Sequence, residues 1–202
     1  MTEISNPAGG LRAVTRDMVR QRLADIAIDL FAEHGFECVT VEQIGAAAGI
    51  SVRSVHRYFP AKEDMVVGTL AAYGTIVRDA LEGRPVEEPV MQSLHAAYAT
   101  MLRSRPQTQG DKVAIRLLSS TPSLHARNAE KHLAWAELLQ PIIAERVHGE
   151  DAPLRSRVLV QASLGAFSAA LSAWADSRET RDLHELLDVA FHALERTGPD
   201  SW

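Results

Sequence analysis

Cysteine occurs once in this chain of 202 residues, at Cys38. A lone thiol excludes an internal disulfide framework and any CxxC metal site, and it suits a reducing compartment, the cytoplasm. Aromatic residues make up only 5%. No β-branched alternation lasts more than a few residues, so a sheet has little to build from. The N-terminus lacks the apolar core of a secretory signal, and no run of about eighteen apolar residues stands out, so no membrane span is expected. There is no glycine-rich phosphate loop, no G-x-S-x-G and no HExxH, so neither catalysis nor a cofactor has a signature. Basic charge is in short supply too: 21 Lys and Arg face 26 Asp and Glu, a formal net charge of -5. Such a chain is not a bulk nucleic-acid binder, and any DNA contact must be local.

What is present is helix period. Hydrophobic residues reach 46% and charged residues 23%, ordinary for a globular protein. The pattern predicts an all-α fold of about nine helices. Residues 1–14, with Pro7 and Gly9-Gly10, read as a flexible tail. Thr15 to His34 carries an apolar stripe of Val19, Leu23, Ile26, Ala27, Leu30 and Phe31, closed by Gly35.

The segment Thr40 to Lys62, TVEQIGAAAGISVRSVHRYFPAK, has the layout of a helix-turn-helix. Thr40 is a good N-cap, and Gln43 completes a capping box. Val41, Ile44, Ala47 and Ala48 make one face. Gly49 suits the left-handed residue that ends a helix, and Ser51 caps the next. Val52, Val55 and Phe59 then face inward, and Arg53, His56, Arg57 and Ser54 outward. Pro60 ends this helix and reads as opening the next turn. The outward set holds no carboxylate. An Arg can bond both acceptors of a guanine edge in the major groove. Tyr58, Lys62 and the amides near Thr40 and Ser51 are natural phosphate contacts.

Phe31-x-x-x-Gly35-Phe36, Thr40-x-x-x-Ile44, Ala48-Gly49-Ile50-Ser51, Ser54-Val55-His56-Arg57-Tyr58-Phe59 and Lys62-Glu63 together resemble the N-terminal module of TetR-family transcriptional repressors. The resemblance covers roughly residues 15 to 65. Two positions depart from the common pattern: His56 stands where Tyr is usual, and Ser54 where Thr is usual. The resemblance implies an all-helical homodimer whose two recognition helices read a palindromic double-stranded DNA operator. It also implies a C-terminal domain in which a small-molecule effector releases the DNA. Domains follow as 15–62 for the DNA-binding module and 63–202 for ligand binding and dimerisation.

Beyond the module, Ala61 to about Leu81 reads as one linking helix, and its movement on ligand binding is the expected route of release. Val86 to Arg103 and Asp111 to Ser119 read as helices. A long helix opens at Thr121-Pro122, kinks at Pro141 and ends at Gly149. Pro153 to Ala175 and a last helix from Thr180 or Asp182 to about Thr197 complete the chain. The middle helices supply Met91, His95, Tyr98, Met101, Leu102, Leu117, Leu118, Trp135, Leu138 and Leu139 as walls of an effector site, although core packing accounts for each equally well. His125 and His132 lie seven apart but lack a third ligand, so no metal site is expected.

The small residues Ala162, Gly165, Ala166, Ala169 and Ala170, with Leu183, Leu187, Ala190 and Leu194 on the last helix, read as half of an intermolecular four-helix bundle. Packing within one subunit is the alternative. Finally, Arg116-Leu117-Leu118, Thr121-Pro122-Ser123-Leu124, Ala126-Arg127 and Trp135 are similar to a TetR subgroup with an acyl-CoA-like ligand-binding domain. That implies an acyl-CoA or other long apolar ligand, with Arg116 or Arg127 near its polar head. The competing class is a helical binding or enzymatic domain that merely retains a helix-turn-helix, but the sequence shows no catalytic cluster for it.

Overall fold

The computed structural model of the chain describes residues 11–176 and 178–195. Among the described residues there are ten α-helices and no strand. They fall into two compact units that divide after residue 69.

In the first unit, α1 (Leu11–His34) begins four residues before the expected Thr15, and residues 1–10 of the expected tail lie outside the described residues. Leu23, Ala24, Ala27 and Phe31 of α1 are buried, and Phe31 packs on Phe36 with ring centroids 4.8 Å apart. Next come α2 (Val41–Ala48), α3 (Val52–Tyr58) and α4 (Asp64–Ala71). Ile44 and Gly45 form the buried face of α2. Ala47, expected on that face, turns to solvent. Between α2 and α3, Gly49 sits at φ 69°, where a Cβ would be strained, and its N–H bonds back to the helix. Pro60 to Glu63 do not start α4. Its first residue is Asp64, whose Oδ2 accepts from the Ala61 N–H at 3.2 Å.

The second unit holds α5 (Tyr73–Glu82), α6 (Val90–Arg103), α7 (Gln109–Ser120), α8 (Pro122–Arg146), α9 (Ala152–Ala175) and α10 (Leu183–Glu195). The expected single helix from Ala61 to Leu81 is thus two helices. At Ala72 the ladder tightens, the Thr75 N–H bonding the carbonyl three residues back at 3.3 Å. α6 starts at Val90 rather than Val86, because Pro89 disfavours helix at Glu88. α7 starts early, on a capping box of Thr108 and Asp111. Pro141 leaves α8 a single helix, and the Thr121 side chain makes no cap bond. α8 ends at Arg146, whose guanidinium donates to the carbonyls of Leu81 at 2.9 Å and Arg84 at 3.0 Å, at the end of α5. Asp182 caps α10 by accepting from Glu185 N at 2.8 Å. The expected end of this helix near Thr197 lies outside the described residues.

The core of the second unit runs from Val77 and Leu81 through Leu94, Tyr98, Leu139 and Ile143 to Val160, Leu164, Phe167, Leu187 and Phe191. Contrary to the sequence reading, one helix, α9, is long and apolar enough by length and composition to cross a membrane. It is the central helix of this core, packed against α6, α7, α8 and α10.

Candidate nucleic-acid interface and ligand cavity

The helix-turn-helix is fixed by its caps. Thr40 N–H donates to Gln43 Oε1 at 2.8 Å, and Gln43 N–H donates back to Thr40 Oγ1 at 3.3 Å. Ser51 Oγ accepts from Ser54 N–H at 3.3 Å and shares a proton with the Ser54 hydroxyl at 3.1 Å. Val55 and Phe59 are fully buried, which turns Arg53, His56 and Arg57 to solvent and leaves Ser54 and Tyr58 half-buried. Arg57 lies over the Tyr58 ring, 5.3 Å from its centroid.

Neither Arg53 nor Arg57 has a carboxylate partner among the described residues. The carboxylate that α2 brings near His56 belongs to Glu42. Its pKa is lowered, first by its own backbone hydrogen bond and then by the Thr40 side chain. The exposed face of α3 therefore offers two unspent guanidinium forks beside an imidazole, as base-edge recognition requires.

Lys62 departs from its expected role as a plain phosphate contact. Its ammonium turns inward and donates to the carbonyls of Phe36 at 2.7 Å and Val39 at 3.1 Å. It also lies 4.3 Å from the centroid of the Phe36 ring. Two of its three N–H donors are spent holding the loop between α1 and α2.

In the second unit, a cavity of about 300 Å³ opens among α5 to α10. Met101, Leu102, Ile115, Leu118, Phe167, Leu171 and Trp174 give it apolar walls, and Tyr73 and Trp135 add aromatic ones. Polar groups converge from α8: His125, Asn128, Lys131 and His132. At another part of the wall, Arg105 and Asp111 neutralise one another in a two-bond pair at 2.9 and 2.5 Å, with the guanidinium 5.2 Å from the Tyr73 centroid.

Lys131 has no such partner. It is 7% exposed, its ammonium lies 5.3 Å from the Trp135 centroid, and it has no hydrogen bond or ion pair among the described residues. Burial pulls its pKa down to about 8. Burial, with the nearby Lys131 charge, pulls His132 down to about 4, so His132 is neutral at pH 7. Two atoms of this wall, Trp135 Nε1 and Asn128 Oδ1, are buried without a partner. Buried polar atoms are normally satisfied, so these two and the unpaired ammonium leave this wall with unused polar capacity.

Of the expected effector-site residues, Met101, Leu102, Leu118 and Trp135 line this cavity, and Leu139 is buried in the core. Tyr98 is fully buried behind the wall, stacked on Phe167 at 4.7 Å with its hydroxyl 3.4 Å from Ser163 Oγ. His95 pairs with Asp188 at 2.7 Å. Met91 packs on the core elsewhere, and Leu117 and Leu138 are half-buried outside the cavity. Arg116 donates to the Ala175 carbonyl at the end of α9, at 2.8 Å. Arg127 pairs with Glu130 at 2.6 Å. Residues 127 and 138 lie roughly a quarter-turn around α8 from the face that carries 128, 131, 132 and 135. Sequence reasoning missed Lys131, although a lysine at helical spacing from Asn128 and Trp135 was the available signal.

The expected dimer residues also divide. Ala166, Ala170, Leu183 and Leu187 are buried within their own unit, where α9 and α10 pack on each other. For these four, packing inside one subunit is the correct reading. Ala162, Ala190 and Leu194 are half-buried, and Gly165 and Ala169 are exposed. Gly165 and Ala169 continue a ridge begun by Leu154 and Val158, 62% and 56% exposed.

Residues 23–68 match the family model described as bacterial regulatory proteins, tetR family. Residues 88–199 match that of the MftR C-terminal domain. The chain is 32% identical to the HTH-type transcriptional regulator TcmR of Streptomyces glaucescens over 206 residues, covering 97% of this chain and 90% of that one. It is 27% identical to the MftR transcriptional regulator of Mycobacterium tuberculosis over 180 residues, 89% and 90% of the two chains. Its fold is similar to that of FadR from Thermus thermophilus, a TetR-family transcriptional repressor solved with lauroyl-CoA. The TM-score is 0.53 at 23% identity, over 88% of this chain and 93% of that one.

Proposed function

The chain belongs to the TetR family of transcriptional regulators, and on that premise we propose that it is a ligand-responsive, homodimeric DNA-binding repressor of a palindromic operator. One observation carries the reading: the doubly capped turn around Gly49 presents Arg53 and Arg57, both without a carboxylate partner among the described residues, on the exposed face of α3. Each recognition helix reads bases in one major groove with Arg53, His56 and Arg57, while Tyr58 and the backbone near Thr40 and Ser51 meet phosphates. A repressor working on the chromosome acts in the cytoplasm.

A second copy pairs through the exposed ridge of α9, where Gly165 and Ala169, beyond Leu154 and Val158, let helices approach closely. The cavity takes a small apolar or acyl-type effector. The apolar walls support this, as does the lauroyl-CoA held by the FadR repressor. Tyr73, the first residue of α5, lines the cavity, and a single residue, Ala72, separates α5 from α4. Ligand contact there changes the spacing of the two recognition helices, which must match about one helical turn of DNA or a near multiple.

The test is fluorescence anisotropy with duplex DNA from upstream of the protein's own gene. Saturable binding at 150 mM salt, lost in the Arg53→Ala, Arg57→Ala double variant, supports the reading. Binding that the double variant retains contradicts it.

A further inference from the structure

We infer that the effector is a compact organic acid whose single carboxylate enters the cavity and pairs with Lys131. Its apolar body fills the space between Met101, Ile115, Leu118 and Phe167. This assignment rests on reading the cavity as the effector site and adds the chemistry of its occupant.

Of the two cations on the wall, Arg105 is already matched by Asp111 in a bidentate pair. Lys131 is matched by nothing. Glu130, its neighbour in sequence, is exposed and taken by Arg127. The wall thus carries one uncompensated positive charge in a mostly apolar setting. An ammonium buried in that way is costly unless it is paired and hydrogen-bonded. The face of Trp135, 5.3 Å away, offers only a weak substitute for an anion.

Hydrogen bonding points to the same class. Trp135 Nε1 can only donate, and it is buried without an acceptor. Lys131 and Trp135 lie four residues apart on α8, hence one turn apart on the same face. A carboxylate matches the ammonium's charge and accepts its hydrogen bonds, with lone pairs left for a further donor. A quaternary amine satisfies neither and adds repulsion. An alcohol satisfies one donor and leaves the charge uncompensated. The Asn128 amide, also unpartnered at Oδ1, is free to meet a further hydroxyl or water.

Size limits the occupant. About 300 Å³ is at the small end of ligand sites. It accommodates a medium alkyl chain or two fused rings with the carboxylate inside. A coenzyme A thioester carries its negative charge on the nucleotide, far from the carbonyl, and cannot bring that charge to Lys131 while its chain fills the cavity.

The test is isothermal titration calorimetry of the full chain, without DNA. The probes are dodecanoate, 2-naphthoate, dodecan-1-ol, dodecyltrimethylammonium and lauroyl-CoA. The expected result is that at least one of the two acids binds the wild type tenfold or more tightly than the alcohol or the amine. Lys131→Met and Lys131→Gln, each checked for native circular dichroism, lower that acid's affinity at least tenfold and leave the alcohol's unchanged. The inference is overturned if neither acid binds the wild type, if both variants keep wild-type affinity for the acid, or if lauroyl-CoA binds best and is indifferent to Lys131. The two readings fail separately. Acid binding through Lys131 in a protein that never binds DNA removes the repressor and keeps the site. Operator binding in a protein that ignores both acids does the reverse.

Discussion

The Lys62 ammonium donates to the Phe36 carbonyl at 2.7 Å, joining the connection between α3 and α4 to the loop that follows α1. The same group reaches Val39 and covers the Phe36 ring. A residue that reads in sequence as a phosphate contact is therefore a brace of the module itself.

Lys62→Met keeps the stem and removes the donors. It leaves two carbonyls without their charged partner, at a cost of about 1–3 kcal/mol to the module. Urea unfolding followed by circular dichroism should show an earlier transition, and DNA affinity should fall alike for all sequences. Unchanged stability with weakened DNA binding would return Lys62 to a purely phosphate-contacting role.

Arg53→Ala and Arg57→Ala should act differently. Each exposed guanidinium can make a bidentate contact to a guanine, so each loss should cost about 1–3 kcal/mol at one operator position and relax preference there. Competition binding with single-base operator variants checks this. A uniform loss across all variants would reduce these residues to phosphate contacts.

Lys131 sets a stability prediction with a definite sign. Burial lowers its folded pKa to about 8 from 10.5. Below about 8 the ammonium is charged in both states, and the folded state alone carries the desolvation penalty. Between about 8 and 10.5 the folded lysine gives up its proton first and the penalty fades, so this group's contribution to stability rises with pH across that window. His125 and His132 of α8, with Tyr73 and the Arg105–Asp111 pair, share the cavity wall. His132 remains uncharged throughout the window, since burial lowers it to about 4. Lys131→Met should therefore stabilise the apo protein at pH 7 by about 1–3 kcal/mol and lose that advantage near pH 10.5. Thermal unfolding across this range measures it, and a less stable variant at pH 7 would contradict it.

Gly74 meets the indole of Trp135 so closely that a Cβ would stand 2.7 Å from Cδ1 and Nε1. The ring is rigid and 3% exposed, so Gly74→Ala must push it toward the cavity. Overpacking of this kind costs about 1–3 kcal/mol. The variant should unfold earlier and show altered tryptophan fluorescence. Wild-type stability and emission would mean that α5 yields instead.

Gly165 is the reverse case. It is exposed, and a Cβ there meets nothing within 4 Å. Gly165→Leu should leave the folding of a single chain intact, helped by a gain in helix propensity of up to about 1 kcal/mol. In a dimer formed through the α9 ridge it places a bulky side chain where helices must come close. Sedimentation velocity should show a shift from dimer to monomer at native helicity, whereas an unshifted dimer would place the interface elsewhere.

The helix-turn-helix was legible in the sequence because local rules decide it. Thr40 with Gln43, then Gly49, then Ser51 settle three caps, and the structure shows all four residues in those roles. The cavity was less legible because a helix stripe does not say which partner it meets. Tyr98 and Trp135 share an apolar pattern, yet one is sealed in the core and the other faces the cavity. Arg116 or Arg127 is placed near a ligand's polar head by the resemblance to the acyl-CoA-like subgroup. A carbonyl of Ala175 and a carboxylate of Glu130 claim them, and both pairings depend on the fold. The break at Ala72 has no proline to announce it.

A homodimer of the proposed kind reads DNA with two copies of α3, at a fixed spacing. Selection from a random-sequence duplex pool by the purified chain, with sequencing of the bound fraction, tests it most directly. The expected result is an enriched inverted repeat with half-sites about one helical turn apart or a near multiple, absent for the Arg53→Ala, Arg57→Ala double variant. A pool that stays unenriched, or one that the double variant enriches equally, would contradict it.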